Sequence, residues 1–317
     1  MTEKITETVS RLKKAKNAAV FCHARPDGDA IGSAFALREV LRGLGARAEV
    51  MCDDEIPERL GFLCSGEKVY RELPFDVDTI VTVDVASPEQ LGSLCVFADR
   101  TDIKIDHHAV SKPFGKAELV IPAASAAGEI VFYIAKECGM LTHRAVNLIY
   151  AAIVSDTGGF RYSNVTEETF DIAGELVSLG ADAAEISEAL IERKSVKDAL
   201  AAGLTYMSMK SRAGGRLRYV TITNEMKEKY SLKDENLGEC SSLLRAIEGT
   251  QLAFAIKQGE TKDIFRVSMR SKEGIDCAAL CARFGGGGHI RAAGCTVYAA
   301  SEEEAENMVL SVCEKAL

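Results

Sequence analysis

Short apolar runs alternate with helix-like segments over the first half of the chain. The apolar runs have the length of buried strands and predict strands at 18–21, 46–51, 79–84 and 102–106. A period of about 3.6 residues predicts helices at 33–45, 128–139 and 144–156. Strands that alternate with helices are typical of an α/β fold with a mostly parallel sheet flanked by helices on both faces.

The second half of the chain has a different pattern. Residues 165–205 are helical in period and rich in Ala and Glu, and better strand candidates follow at 217–223, 251–257 and 264–271. We therefore predict a smaller α/β domain joined to the first by a helical linker that ends in a glycine turn. The predicted division is an N-terminal domain over 1–187, a linker over 188–213 and a second domain over 214–317.

Composition and charge narrow the class of protein. The 317 residues carry 47 Asp and Glu against 38 Lys and Arg, a net charge of −9. This balance argues against binding of long duplex nucleic acid, which relies on neutralising many phosphates, but it leaves room for a short phosphorylated ligand. No apolar stretch reaches the length of a membrane span, and no secretory signal precedes the first strand, so we expect a cytoplasmic protein that does not enter the membrane.

The ten cysteines are scattered along the chain, as expected of free thiols in a reducing compartment. One group invites a second interpretation, because Cys277 and Cys281 are followed by His289 and Cys295 and together resemble zinc ligands. The four-residue spacing is one helical turn filled with apolar residues, and no second close pair follows. Buried structural thiols are therefore the preferred interpretation.

Acidic and histidine side chains collect where the predicted strands end. His23 follows the first strand, Asp27 and Asp29 flank a glycine in the loop after it, and Asp84 ends a later strand. The carboxyl ends of parallel strands are where ligands bind in such sheets. In an extended loop, residues i and i+2 project to the same side about 7 Å apart, so Asp27 and Asp29 can serve two different ions.

These residues are candidate ligands of a two-metal site. His23 and Asp27 would hold one ion, Asp84 would bridge both, and His107 and Asp156 would complete the second ion beside Asp29. A donor set of carboxylates and imidazoles favours Mn²⁺ over Mg²⁺, whereas zinc sites more often include thiolates. The alternative is that these residues are ordinary turn and cap residues, since Asp is common in loops after strands.

At this point the chain resembles a known family. The segments HARPDGDAIGS, VDVAS, DHH and SDTGGFRYS are similar, in order, to the four motifs of DHH phosphoesterases, and FGGGGHIRAAG is similar to the glycine-rich signature of the accompanying DHHA1 domain. The resemblance extends from about residue 15 to 300. Within the family, a chain of this length with these two domains looks like the nanoRNase and pAp-phosphatase group, whose members act on short RNA, the dinucleotide pApA and 3′-phosphoadenosine 5′-phosphate (pAp).

The resemblance implies roles for the residues found above. It assigns metal binding to the same six side chains, with Mn²⁺ as the expected ion and Mg²⁺ as the alternative. It implies that His108 contacts the scissile phosphate from just outside the metal shell, while the bridging Asp84 is itself part of the catalytic machinery. A water activated by the two ions would attack phosphorus. The family commonly forms dimers, so a homodimer is also an expectation.

The second domain is expected to hold the rest of the substrate. Glycines let the backbone approach a phosphate and offer N–H donors, and the cationic side chains nearby suit a terminal phosphate or a base. A flexible loop is the alternative for a glycine run. The predicted substrate-binding residues are Arg270, Gly285, Gly286, Gly287, Gly288, His289 and Arg291.

The chain departs from the family pattern at Gln90, Ser111 and Ala126–Ala127, none of which is a predicted metal ligand. These departures leave open the preference among nanoRNA, pApA and pAp. With no Trp in the chain, base stacking has to use Tyr or Phe, and Tyr162 is a candidate near the metal motif, with a core role as the alternative. Two other functions stay open: hydrolysis of pyrophosphate or polyphosphate, and a nucleotide sensor without turnover.

Overall fold

The computed structural model describes residues 2–317, which form two compact units, the first ending at Arg193 and the second spanning Lys194–Leu317. The predicted linker therefore falls on both sides of this division. Its larger part is the helix Val196–Met207, which belongs to the second unit together with a short strand at Lys210–Arg212.

The first unit is built on a five-stranded sheet in which every pair of neighbours is parallel. The strand order is β2-β1-β3-β4-β5. The chain therefore adds β2 on one side of β1 and then crosses to the other side for β3, β4 and β5, so the strand order reverses between β1 and β3. Such a reversal opens a crevice at the carboxyl ends of the two strands, where ligands bind in sheets of this topology. The strands are β1 (Asn17–Phe21), β2 (Arg47–Met51), β3 (Thr79–Val83), β4 (Ile103–Asp106) and β5 (Ala117–Val120).

Helices flank this sheet and bury its core. The α2 helix carries apolar side chains around almost its whole circumference and is buried from Gly28 to Leu37. It packs closely on α5 at Gly32, which has no side chain. A β carbon at this position would lie only 2.6 Å from the carbonyl oxygen of Leu148. The helices of this unit are α1 (Thr2–Leu12), α2 (Gly28–Gly43), α3 (Gly61–Cys64), α4 (Ala127–Glu137), α5 (His143–Asp156), α6 (Glu167–Ser178) and α7 (Ala183–Ser187).

The second unit contains a six-stranded mixed sheet of order β10-β11-β9-β8-β7-β6. Only the β7–β8 pair is parallel. Separate apolar clusters cover its two faces, one around Phe254 and Met269, the other around Val220 and Ala255. The elements are α8 (Val196–Met207), β6 (Lys210–Arg212), β7 (Leu217–Ile222), α9 (Asn224–Lys229), α10 (Cys240–Ala246), β8 (Leu252–Gln258), β9 (Ile264–Ser271), α11 (Cys277–Ala282), β10 (Gly287–His289), β11 (Ala292–Tyr298) and α12 (Glu302–Cys313).

The predicted fold class is confirmed: a mostly parallel sheet flanked by helices precedes a smaller α/β domain. Four strands escaped prediction, namely β5, β6, β10 and β11, because they lack a continuous apolar run and form by pairing with neighbours. Across residues 2–317, no helix has the length and apolarity that crossing a bilayer requires.

Candidate active site

The predicted metal ligands lie at the ends of five elements around the crevice. His23 comes just after β1, Asp84 follows β3, and His107 follows β4. Asp156 is the last residue of α5. Because these elements end at the same edge of the sheet, residues distant in sequence come together in space.

Asp84 is the centre of this group. Its Oδ2 lies 3.5 Å from Nε2 of His23, and its Oδ1 lies 3.4 Å from Nε2 of His107. The residue is 2% exposed, and Oδ1 receives no hydrogen bond from any described residue. Each carboxylate oxygen thus faces a different histidine, which is the arrangement expected of a carboxylate that bridges two cations.

The backbone of Asp84 is unusual as well, because its φ is +59°. Only a small share of residues other than glycine adopt this left-handed conformation, with Asn and Asp the most tolerant of it. The conformation turns the chain sharply at the end of β3 and directs the carboxylate into the crevice. Strained backbone of this kind is concentrated at functional sites.

The two histidines nearest Asp84 are held in the same way. Nδ1 of His23 lies 2.8 Å from the carbonyl oxygen of Ala24, and Nδ1 of His107 lies 3.3 Å from that of Ala124. A ring whose Nδ1–H donates to a backbone carbonyl leaves the Nε2 lone pair for a metal ion. Both Nε2 atoms point toward the carboxylates.

Asp27 and Asp29 differ from the expected extended loop. Asp27 is the N-cap of α2, where its Oδ1 accepts from the N–H groups of Asp29 and Ala30, so Asp29 already lies in the first helical turn. The loop prediction was wrong because the Asp27 side chain satisfies amides that the helix start leaves free. The helix still directs the two carboxylates toward different histidines, Asp27 to His23 at 3.8 Å and Asp29 to His107 at 3.7 Å.

Asp29 is also bound from a distant part of the chain. It is fully buried, and its oxygens accept from the N–H groups of Ala127 and Gly128 at 2.7 and 3.0 Å and from the Ser33 hydroxyl. The N-cap position of α4 is Ala126, which has no side-chain acceptor of its own. Asp29 therefore caps α4 from another element.

Among the described residues, three groups of three have donor atoms within 4.8 Å of one another. One consists of His23, Asp27 and Asp84, and a second of Asp29, His107 and Asp156. The third consists of Asp84, His107 and His108 and overlaps both. Oδ2 of Asp156 lies 3.4 Å from Nε2 of His107 at the carbonyl end of α5, where the helix dipole adds further negative potential. Oxygen and imidazole donors in these numbers fit two divalent cations that share the Asp84 carboxylate.

The clustered carboxylates of the crevice favour the binding of positive charge, either as protons or as cations. Burial, then the charges of Asp84 and Asp156, raise the pKa of Asp29 well above its usual range. Burial also raises the pKa of Asp156 to about 7, despite the opposing effect of His107. Burial works against the charged form of His23, but the carboxylates of Asp27 and Asp84 outweigh it and raise the pKa of that ring to about 11.

The same balance acts on the other two groups. Burial opposes ionisation of Asp84, yet His107 and His23 hold the pKa of its carboxyl far below the usual range. Burial disfavours a charged His107, and Asp84 and Asp29 nevertheless raise the pKa of this ring to about 10. In the absence of a bound cation, the crevice therefore takes up protons to offset its carboxylates.

His108 lies beside the cluster but is held by a different partner. Its Nδ1 is 2.7 Å from Oδ1 of Asp106 and 3.7 Å from Oδ1 of Asp84. Its backbone N–H donates to the same Asp106 oxygen at 3.2 Å. The Asp106 hydrogen bond raises the pKa of the His108 ring. The arrangement suits a histidine that contacts substrate next to the metal ligands.

The residues that depart from the family pattern have defined contacts. Oε1 of Gln90 accepts from the N–H groups of Ala86 and Ser87, and so caps the turn that follows Asp84. Ser111 donates to Oδ2 of Asp106. These departures therefore help to hold the two loops that carry Asp84 and His108.

In the second unit, the glycine run divides into two parts. The N–H groups of Gly285 and Gly286 donate to Ala282 and Cys281 at the end of α11, and Gly285 has the positive φ (+71°) common just after a helix. Their predicted role as phosphate donors is therefore not supported, because both amides already have partners. Gly287 and Gly288 instead belong to β10, an exposed edge strand.

Two of the three predicted His and Arg residues lie along one row of this sheet. His289 is opposite Ala292, which in turn is opposite Arg270, so His289 and Arg270 share a face two strands apart. Arg291 lies in the turn between β10 and β11, with its guanidinium 3.4 Å from Glu273. In the next row, the buried hydroxyl of Ser268 has no hydrogen-bond partner among the described residues.

The cysteine group near this site is structural in character. Cys277 and Cys281 are on α11 and are fully buried, and Cys295 is nearly so. Among residues 2–317, the groups of three side chains that could hold a metal all lie in the crevice of the first unit. The preference for buried thiols over a zinc site agrees with these observations.

Sequence comparison identifies the class of protein. The family model described as DHH family, N-terminal domain, matches residues 17–153, and the DHHA1 domain model matches residues 214–315. The chain thus carries a DHH domain followed by a DHHA1 domain and is a phosphoesterase of the DHH family.

Particular relatives share nearly the full length. The bifunctional oligoribonuclease and PAP phosphatase NrnA of Thermus thermophilus is 29% identical over 315 residues, covering 98% of this chain and 93% of the relative. The protein of the same name from Bacillus subtilis is 29% identical over 304 residues, covering 94% and 95%. An exopolyphosphatase-related protein from Bacteroides fragilis has the same fold, with a TM-score of 0.89 at 24% identity over 100% of this chain and 96% of its own.

Proposed function

We propose that this protein hydrolyses short oligoribonucleotides, including pApA, to mononucleotides and pAp to AMP and phosphate, with two Mn²⁺ ions. The observation that carries the proposal is Asp84, whose two oxygens face two different histidines at 3.4 and 3.5 Å. The names of the full-length relatives support the choice of substrates.

The residues divide into two coordination groups. His23 and Asp27 would hold one ion, and Asp29, His107 and Asp156 would hold the other, with Asp84 common to both. Ions bound there would supply an activated water nucleophile and neutralise charge on the phosphate. The mixture of imidazole and carboxylate donors favours Mn²⁺ over Mg²⁺.

His108 would contact the phosphate itself. Asp106 binds its Nδ1, which leaves Nε2 as the ring atom available to a substrate oxygen. A protonated ring would donate to a phosphoryl oxygen or to the leaving oxygen, where negative charge develops during the reaction. A catalytic role for His108 therefore requires its orientation to be maintained.

The second domain would bind the remaining phosphate or base. Its exposed β10 edge, with Gly287 and Gly288, and the row that joins His289 to Arg270 offer backbone donors and positive charge. Arg291 adds a second guanidinium in the adjacent turn. Few cations on a chain of net charge −9 suit a substrate of a few nucleotides better than a long strand.

The test is release of AMP from pApA and from pAp, measured side by side with Mn²⁺, with Mg²⁺ and with chelator. We expect turnover of both substrates that is highest with Mn²⁺ and disappears on chelation. His289→Ala should raise KM while leaving bound Mn²⁺ unchanged. His143→Ala is the matched control, since His143 is an exposed histidine at the start of α5.

Other outcomes would change the assignment. Hydrolysis of inorganic pyrophosphate in preference to both nucleotides would replace the proposed substrates and keep the metal site. Binding of pAp without turnover of any of these compounds, with Mn²⁺ bound, would indicate a nucleotide sensor. Loss of Mn²⁺ from His289→Ala would show that this residue has been assigned the wrong role.

A further inference from the structure

Lys104 is a fully buried lysine on an interior strand of the first sheet. It lies on β4 between apolar neighbours, and its side chain is 0% exposed. Taking an ammonium group out of water is costly unless hydrogen bonds and opposite charge compensate. A lysine at this position therefore needs partners that make its burial favourable.

The ammonium group has three hydrogen-bond acceptors. Nζ donates to the Ser111 hydroxyl at 2.5 Å, to the Lys112 carbonyl oxygen at 2.7 Å and to the Ala86 carbonyl oxygen at 3.3 Å. Ala86 is two residues after Asp84, while Ser111 and Lys112 follow the paired histidines. Lys104 thus joins the loop after β3 to the loop after β4, the two loops that carry the centre of the site.

A continuous chain of contacts leads from Lys104 to His108. Nζ lies 3.6 Å from Oδ2 of Asp106, and the Ser111 hydroxyl, which accepts from Lys104, donates to the same oxygen. The other Asp106 oxygen accepts from the backbone N–H and the Nδ1 of His108. Both oxygens of the buried Asp106 are therefore engaged, one toward Lys104 and one toward His108.

We infer that Lys104 is a positioning residue that orients His108 for catalysis through Ser111 and Asp106. The inference rests on the proposed catalytic role of His108 and adds the buried residue that holds its hydrogen-bond partner in place. With Lys104 in place, Asp106 has a fixed position and charge, and the His108 ring has one orientation. Without it, the Ser111 loop and Asp106 lose their common anchor, and the ring samples orientations that do not meet the phosphate.

A double-mutant cycle separates this role from simple stabilisation of the fold. The variants are Lys104→Met, which keeps an unbranched apolar side chain and removes the ammonium group, His108→Ala, and the two combined. Each is assayed on pApA with saturating Mn²⁺, per folded molecule as judged by circular dichroism. Lys116→Met is the matched control, since Lys116 is an exposed lysine paired with Asp102 close to the same strand.

We expect Lys104→Met to lower kcat by about 10- to 100-fold, the usual effect of removing a partner in an outer shell, with KM and bound Mn²⁺ little changed. In the His108→Ala background, the same substitution should lower kcat by less than about threefold, because the residue it positions is gone. An equal loss in both backgrounds, or loss of bound Mn²⁺, would overturn the inference. Lys116→Met should retain wild-type kcat.

Lys104→Met carries a risk of poor folding, so a milder variant and a second observable complete the test. Ser111→Ala cuts the link between Lys104 and Asp106 and should show the same dependence on His108 with a smaller loss. The His108 Nδ1 proton, observed by NMR without substrate, should broaden in Ser111→Ala. An unchanged resonance together with unchanged kcat would refute the positioning role, whereas inactivity of the wild-type protein would refute the proposed function instead.

Discussion

Replacing Asp84 by Asn is the most direct test of a shared carboxylate. The substitution keeps the size of the side chain and removes one negative charge between the two proposed ions. Asn is preferable to Ala here, because the φ of +59° is tolerated by Asn and would add strain for most other residues. A loss of function can then be attributed to the charge.

The magnitude follows from the distances. Two unit charges about 4 Å apart interact by about 4 kcal/mol at an effective dielectric constant of about 20. Asp84 is 2% exposed, so little solvent screens this interaction, and each ion would lose at least one such contact. With about 1.4 kcal/mol for each factor of ten, the loss is about 1,000-fold in Mn²⁺ affinity or in turnover.

Two measurements check this prediction. Hydrolysis of pApA is followed over a wide range of Mn²⁺ concentrations, and the rise in Tm on adding Mn²⁺ is compared with that of the wild-type protein. We expect turnover near background and a much smaller rise in Tm. Turnover within tenfold of wild type at the same Mn²⁺ concentration would refute a bridging role for Asp84.

Three further predictions concern packing, buried charge and pH. Gly28→Ala should abolish Mn²⁺-dependent activity, because a β carbon there would lie 2.6 Å from the Ser155 hydroxyl and push α2 away from α5. An activity assay and the Tm of the variant check this prediction. Arg38→Met should lower the free energy of unfolding by about 3 kcal/mol in urea titrations. This value is at the low end for a broken buried ion pair, because the carboxylate partners of Arg38 are part-exposed. Mn²⁺ affinity should rise from pH 6 to 9 by calorimetry, because the raised pKa values of His23 and His107 mean that Mn²⁺ must displace their protons.

Each of these has its own comparison. Gly174→Ala, on α6 with no atom within 4 Å of the added carbon, should leave activity unchanged and raise stability slightly. Arg42→Met removes a part-exposed member of the same ion-pair group and should cost less than Arg38→Met. A flat Mn²⁺ affinity across this pH range would contradict displacement of protons from the two rings.

The sequence predicts the site best where acidic and histidine residues directly follow an apolar strand. Asp84 and His107 could be placed at one edge of the sheet because each follows an apolar strand, and parallel strands bring such ends together. The helical periods of α2, α4 and α5 were equally clear. All of these signals are local, since they depend on residues within one strand or helix.

Contacts that depend on distant pairing could not be predicted. Nothing near Asp29 in the sequence indicates that its carboxylate oxygens accept from the N–H groups of residues almost one hundred positions further along the chain. Nor does the sequence show that Asp27 caps a helix instead of lying in an extended loop. Lys104 gave a weak signal, a charged residue inside an apolar strand, which becomes meaningful only when Ser111 and Asp106 fold against it. Strands β10 and β11 form because they pair with each other and because β11 also pairs with β9.

The cap that Asp29 provides for α4 links the ionic state of the crevice to amide exchange. Protonation of this carboxyl, which burial and neighbouring carboxylates favour, removes an acceptor from the N–H groups of Ala127 and Gly128. A cation beside Asp29 keeps the carboxyl ionised and the two amides bonded. Hydrogen exchange at the first turn of α4 should therefore slow when Mn²⁺ binds, which makes these two amides an internal reporter of metal occupancy.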